Sequence, residues 1–153
     1  MTSQFKPRDT RYKEKVIESF NLQGVMKTVN ASILAVRPGE IELEFPYHSK
    51  LTQQHGFIHA GIVSTVLDSA CGYAAFSLMP ENAAVLTIEF KVNLLSPAKG
   101  ERFRAVGKVK KAGRTITVTE GELFSYTDGR EKLTATMVAT VMSVYDRKGI
   151  KNL

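Results

Sequence analysis

Asp68 lies near the middle of a run, His59 to Met79, whose other residues are apolar or small on nearly every side. An ionised carboxylate buried there without partners is costly. The residue must therefore be paired, protonated, set on a narrow polar stripe, or used as a water-activating or nucleophilic group. Just upstream, Gln53-Gln54-His55-Gly56-Phe57-Ile58-His59-Ala60-Gly61 reads as a glycine-bearing loop running into a helix start. The unpaired backbone N–H groups of such a start, added to the helix dipole, can stabilise the oxyanion of an acyl-transfer intermediate. Asp68 is nine residues beyond His59, which at 1.5 Å per residue is about 13 Å along the axis. One chain's carboxylate cannot easily serve its own helix start. Two such helices running antiparallel across a two-fold axis would bring Asp68 of one toward the start of the other.

Other constellations carry less. His55 and His59 have the four-residue spacing that lets two imidazoles share a metal on a helix, but Gly56 interrupts and no third ligand is evident, so no metal is expected. Cys71 and His59 are twelve residues apart, about 18 Å on a helix, too far for a thiol–imidazole pair. Cys71 reads as a small buried hydrophobe, and His48 as a loop residue without a partner. Arg102, Arg104, Lys108 and Lys110 fall at even positions of one strand-like run, with Lys111 and Arg114 beyond them. They form either a solvated sheet face or a phosphate-binding surface.

The elements that would position these groups follow from periodicity. Residues 9–20 read as an amphipathic helix, capped by Asp9 or Thr10, with Tyr12, Val16 and Phe20 on one face. Two strand-like runs between Val25 and Phe45 flank the turn Arg37-Pro38-Gly39-Glu40, and in the second Ile41, Leu43 and Phe45 alternate with Glu40, Glu42 and Glu44. A loop from Pro46 to Ile58 leads to the long helix, which Pro80-Glu81-Asn82 stops. Four strands follow, Val85–Leu95, Glu101–Lys111, Thr115–Tyr126 and Leu133–Tyr145, joined by short glycine-bearing turns. In the first of them Leu86, Ile88, Phe90, Val92 and Leu94 should share one face, leaving Thr87 and Glu89 on the other. No βαβ units or repeats occur, so the sheet is expected to be antiparallel.

With 153 residues, 43% hydrophobic and 24% charged, the chain suits a single core. One cysteine excludes a disulfide-stapled fold. Residues 1–15 lack the apolar stretch of a secretory signal, so a cytoplasmic location is expected. Asp68 argues against a membrane span in the long apolar helix. Twenty-one Lys plus Arg against 15 Asp plus Glu give a net charge of +6, which favours anionic partners. Part of the excess lies in the terminal segments, with Lys15 at one end and Lys151 at the other, where charge keeps chain ends solvated. No helix-turn-helix, zinc finger, RNP-type motif or KH loop is present, so specific nucleic-acid binding is not expected.

Three segments in order, Gly56-Phe57-Ile58-His59-Ala60-Gly61, Val66-Leu67-Asp68-Ser69-Ala70-Cys71-Gly72, and Thr87-Ile88-Glu89-Phe90-Lys91-Val92-Asn93-Leu94-Leu95-Ser96-Pro97-Ala98, resemble the PaaI-like branch of the hotdog-fold acyl-CoA thioesterases. The resemblance covers roughly Val25 to Tyr145. It implies an α+β hotdog fold, an antiparallel sheet of five to six strands wrapped around a long central helix, with an extra N-terminal helix. The corresponding organisation is a helical segment at 1–24, the hotdog thioesterase domain at 25–146 and a basic tail at 147–153. It also implies a homo-oligomer, dimer or tetramer, with sites at the subunit interface.

By the same resemblance Asp68 is the catalytic carboxylate, as general base or nucleophile, and the Ala60 N–H, with Gly61 beside it, supplies the oxyanion contact. His59 positions the loop or the thioester, Gln53 lies near the attacking water, and Thr87 assists from the partner subunit. Ala60 stands where the family's H-G-G motif has its middle Gly, and retains the contact if its φ is negative. The implied reaction is hydrolysis of an aryl or fatty acyl-CoA to the free acid and CoA, without a separate cofactor. Lys108, Lys110, Lys111 and Arg114 are candidates to hold the CoA phosphates. A non-catalytic acyl-CoA-binding protein is the alternative; hotdog dehydratase chemistry would need a flanking motif not seen here.

Overall fold

The computed structural model describes residues 4–150. Lys151 of the basic tail and the first three residues lie outside them. The element order is α1 (Tyr12–Leu22), α2 (Gly24–Thr28), β1 (Ser32–Arg37), β2 (Glu40–Pro46), a 3₁₀ turn (Ser49–Leu51), α3 (Ala60–Phe76), β3 (Ala84–Leu94), β4 (Arg102–Ala112), β5 (Ile116–Thr127) and β6 (Arg130–Val144). The six strands form one antiparallel sheet in the order β1-β2-β4-β5-β6-β3. The concave face of this sheet holds α3, the wrapped-helix arrangement that the sequence leads one to expect.

Alternation sets the two faces of the sheet. Ile41, Leu43 and Phe45 are fully buried, as are Phe103, Ala105, Leu123, Ala135, Ala139 and Val141 on neighbouring strands. They meet Val66, Leu67, Ala70, Cys71 and Ala74 of α3, so the helix supplies the other half of the core. Its close seating depends on two paired glycines, Gly107 of β4 and Gly121 of β5. A Cβ on Gly107 would lie 2.3 Å from the carbonyl carbon and oxygen of Ala70, and one on Gly121 would lie 2.9 Å from the Cys71 sulfur. Backbone cannot step aside as a side chain can. A Gly107→Ala protein is therefore expected to lose about 1–3 kcal/mol of stability, measured as a lower midpoint in urea denaturation. Gly24→Ala, where a Cβ meets nothing within 4 Å, serves as the control.

Three local readings change. The first strand does not begin at Val25, because Gly24–Thr28 is a short helix that buries Met26; β1 starts only at Ser32. The first helix is preceded by Arg11 rather than capped by a side chain of Thr10, and Asp9 Oδ1 instead accepts the Arg11 N–H at 2.8 Å. Lys15 is not a solvated terminal charge. It is buried, with Nζ donating to Met79 O at 2.8 Å and Pro80 O at 3.3 Å, pairing with Asp9 at 3.4 Å and lying 4.6 Å from the centroid of the Phe76 ring. Burial lowers the Lys15 pKa while Asp9 opposes the shift. This ammonium ties the N-terminal helix to the chain just past the end of α3, where backbone carbonyls lack helical partners.

The strand β3 departs most from expectation. Thr87 opposes Val141 but Glu89 opposes Thr140, so Ile88 is an extra residue, a bulge. Directly paired residues share a face, and β6 buries Ala135, Met137, Ala139 and Val141. Their β3 partners are Leu94, Val92, Phe90 and Thr87. Thr87 therefore faces α3 together with Phe90, Val92 and Leu94, not away from them. The bulge corrects the alternation at one position and brings a hydroxyl to the helix side.

Candidate active site

The loop ahead of α3 is built from its own hydrogen bonds. His48 has a partner after all, since its Nδ1 accepts the Lys50 N–H at 3.0 Å and starts the 3₁₀ turn. Gln53 N donates to Phe57 O at 2.9 Å and Gly56 N to Gln53 O at 3.0 Å, a reversal that needs the φ of +83° at Gly56. The Gln53 side-chain oxygen accepts the backbone N–H of His55. Ile58 N then donates to Ala98 O at 3.0 Å and His59 N to Leu51 O at 2.9 Å, which fixes the direction in which α3 begins.

His59 is the N-cap of α3, its Nδ1 accepting the Gly61 N–H at 2.8 Å. That contact makes Nδ1 an acceptor and places the proton of a neutral imidazole on Nε2, a donor on an exposed ring. Gly61 is what lets the ring fold over, because a Cβ there would lie 3.0 Å from Nδ1. The His59 carbonyl accepts from Ile62 N at 2.9 Å and Val63 N at 3.1 Å. Among the described residues the Ala60 N–H donates to no protein group, the one first-turn donor left for a ligand. Ala60 is not among the residues of positive φ, so an alanine in this place carries no backbone strain and keeps its N–H.

Asp68 sits two turns further along α3, half-buried, and its Oδ1 accepts a 2.7 Å hydrogen bond from Thr87 Oγ1 of the same chain. Thr87 and Asp68 thus pair within one chain, which the bulge at Ile88 makes possible. Next to it, Ser69 Oγ donates to Gln23 Oε1 at 2.8 Å. Gln53, His59, Ala60 and Gly61 cluster at the helix start; Asp68 and Thr87 form a second cluster, eight residues beyond Ala60, about 12 Å along the axis. No hydrogen bond joins the two clusters among the described residues.

The basic strand is not brought to either cluster. Arg104 pairs with Glu42 at 3.2 Å and Glu131 at 2.6 Å, Arg102 with Glu44 at 2.5 Å, Lys108 with Glu40 at 3.6 Å and Lys110 with Glu120 at 3.5 Å. This lattice covers the convex face. A hydrogen bond from Arg37 holds the Glu42 carboxyl below its usual pKa, and burial of Arg104 is outweighed by its bonds to Tyr126 and Glu131, which raise its pKa. Lys111 and Arg114 lie at the end of the sheet where Ala112 and Gly113 border the C-terminal part of α3, near Ala75 and Leu78. Cys71 is fully buried against Gly121, and burial raises its thiol pKa to about 12. No group of three or more His, Cys, Asp or Glu able to hold a metal occurs among the described residues.

One feature escaped sequence reasoning. A cleft of about 840 Å³ opens beside the helix start, lined by Phe57, Lys99, Arg130 and Lys132 among others. Its cations lie in, or just after, two turns that the sequence marks only as hairpin connections.

Comparison with known proteins gives a consistent picture. Residues 55–132 match the family model described as the thioesterase superfamily. A thioesterase family protein from Silicibacter pomeroyi, known from its crystal structure, is 59% identical, with a TM-score of 0.87 over 88% of this chain and 98% of that one. The PaaI protein of E. coli is 15% identical and shares the fold, with a TM-score of 0.80 over 90% of this chain and 96% of that one. Acyl-coenzyme A thioesterase 13 of Homo sapiens is 24% identical over 100 residues, 65% of this chain and 71% of that protein. The fold expected from the sequence is found, and the family match agrees with the thioesterase resemblance drawn there.

Proposed function

Because the chain belongs to the thioesterase superfamily and is a thioester hydrolase, we propose that its substrate is an acyl-CoA, hydrolysed to the free acid and CoA in a homodimer. Each site combines the α3 start of one subunit with the Asp68–Thr87 pair of the other. The observation that carries this reading is the hydrogen bond from Thr87 to Asp68. It holds a carboxylate oxygen of α3 and a hydroxyl oxygen of the edge strand β3 side by side, about one α3 half-length from the open Ala60 N–H.

What β3 leaves bare supports the dimer. β3 is an eleven-residue edge strand, and Ile88, Phe90 and Leu94 are exposed by 51%, 43% and 53%. Phe90 and Leu94 lie on the face that carries α3, beyond the reach of the chain's own helix. A long apolar edge is a liability in a free monomer. Antiparallel pairing of β3 with its copy about a two-fold axis covers the edge, continues the sheet and sets the two α3 helices side by side in opposite directions.

In the resulting site the thioester carbonyl oxygen accepts the Ala60 N–H, at the positive end of the helix dipole, with His59 Nε2–H nearby as a second donor. A water held by Asp68 and Thr87 of the other subunit attacks the carbonyl carbon while Asp68 takes its proton. The tetrahedral oxyanion, held by Ala60, then collapses; the C–S bond breaks and the thiolate leaves with the proton returned from Asp68. Two adjacent acceptors suit a water with two protons, which favours general-base action over direct attack by Asp68. Gln53, whose side chain is engaged by the His55 backbone, sets the loop that holds His59. No separate cofactor enters the scheme.

The test is thiol release from short, medium, long and aryl acyl-CoAs, with the acid product measured in parallel. Equal amounts of thiol and acid from at least one class are expected. Release from thioesters of other carriers, with none from any acyl-CoA, would remove CoA from the assignment.

A further inference from the structure

The serines and threonine of α3 and its C-cap do not all behave alike. Ser64 Oγ donates to Ala60 O at 2.8 Å and Thr65 Oγ1 to Gly61 O at 2.7 Å. Ser69, further along, turns instead to Gln23, and Ser77 closes the last turn on Ala74 O. The two neighbouring back-bonds therefore fall on the first two residues of the helix, the turn that carries the open Ala60 N–H.

That turn is weakly specified by its own sequence. Histidine is not among the side chains that cap helices best, and Gly61, at the second position, is among the weakest helix formers. The structure offsets this by holding three consecutive peptide units. The unit that ends in the Ala60 N–H has its carbonyl, on His59, bonded to Ile62 N and Val63 N at 2.9 and 3.1 Å. The next has the Gly61 N–H on His59 Nδ1 at 2.8 Å and Ala60 O on Ser64 Oγ. The third has Gly61 O on Thr65 Oγ1. A hydroxyl that bonds back to a helical carbonyl adds to the N–H already there and often bends the helix at that point. Here the two hydroxyls fix the torsions around Ala60 and Gly61, and with them the direction of the N–H left free.

We propose that Ser64 and Thr65 are positioning residues for the oxyanion, holding the first turn of α3 so that the Ala60 N–H is aimed at the thioester oxygen before the reaction begins. The inference rests on the two-subunit site described above and adds which side chains preorganise its donor. Each hydroxyl acts through a backbone carbonyl rather than on the substrate. A preorganised donor gains its worth from costing no reorganisation as charge develops, so the effect belongs to kcat. The dimer also sets where Ser64 lies. With Ala60 of one chain facing Asp68 of the other, the residue halfway between them, Ser64, faces its own copy on the two-fold axis. It stands about one turn from Ala60 and one turn from Asp68 of its own chain, residues that belong to different sites. A role through Ala60 and a structural role at the axis are therefore separable.

The experiment uses the intact protein and a thioester that it hydrolyses, whatever the carrier. Ser64→Ala and Thr65→Val should each lower kcat about tenfold, the scale of a donor displaced rather than lost, with KM and the thermal midpoint close to those of the parent. Thr65→Ser, which keeps the hydroxyl, should restore the rate. In an Ala60→Pro background, where the donor is gone, neither substitution should lower the residual kcat further. In mixed dimers of Ala60→Pro and Asp68→Asn chains, the one competent site uses Ala60 of the Asp68→Asn chain. Ser64→Ala placed on that chain should slow the site about tenfold, and placed on the Ala60→Pro chain should cause no further loss. Unchanged kcat in both Ser64→Ala and Thr65→Val, the same loss in the proline background, or a loss that follows either chain alike would each overturn the assignment. Full turnover by Ala60→Pro itself would overturn the oxyanion reading and this inference with it. A mixture that stays inactive after demonstrated exchange would fall on the two-subunit site, and the proline background still decides the role of Ser64 and Thr65. Should one variant fail to fold, the other carries the same tests.

Discussion

An Ala60→Pro protein is expected to fold as the parent does and to lose about 10²–10³-fold in kcat, the cost of removing one oxyanion donor. Proline lacks the N–H and fixes φ near the helical value, and the first position of a helix is where it is tolerated best. It also requires an extended residue before it, and His59 already has φ −59° and ψ 138°. The substitution therefore deletes a single donor while the helix, the His59 cap and the acceptor role of the His59 carbonyl are retained. Because the lost contact is made to charge that develops during reaction, the loss should appear in kcat with little change in KM. Ala60→Gly, which keeps the donor, should retain most of the rate. A proline variant with full turnover would remove Ala60 from the mechanism.

Asp68→Asn is the second large effect, about 10²–10⁴-fold in kcat. The amide keeps the volume of the carboxylate and can still accept from Thr87, so the variant should match the parent in thermal unfolding. What it loses is the ability to take a proton from water. The two inactive proteins together test the subunit arrangement. In a mixed dimer of Ala60→Pro and Asp68→Asn chains, one site carries both lesions and the other carries neither. Random reassociation makes half the dimers mixed, so about a quarter of the parent activity should return. A mixture that stays inactive after demonstrated exchange would place Ala60 and Asp68 in a site within one chain.

Much of the architecture was legible because burial writes itself into period. Ile41, Leu43 and Phe45 against Glu40, Glu42 and Glu44, and the apolar run holding Asp68, follow directly from one wet and one dry face. Local insertions do not announce themselves in this way. The alternation from Leu86 to Leu94 is unbroken in the sequence, yet Ile88 is an extra residue against β6, and Thr87 changes sides because of it. Val25, Met26 and Val29 form an apolar run too short to separate helix from strand by pattern. Charge is partly hidden for a different reason. Arg102, Arg104, Lys108 and Lys110 read as a basic stripe in the sequence, and only the sheet sets Glu40, Glu42, Glu44 and Glu120 of β2 and β5 beside them. The residues of the helix start could be named from their types and order, whereas the bond between Asp68 and Thr87 needed the sheet.

The burial of Cys71 acquires a chemical meaning in a protein that handles thioesters. A thiolate near an activated acyl group undergoes acyl exchange, and one near free CoA can be drawn into a mixed disulfide. Burial raises its pKa to about 12, so the Cys71 thiol stays protonated at neutral pH, and it is sealed in the packing of α3 against β5 with no accessible surface. The chain's one cysteine is therefore kept out of competition with water for the acyl group.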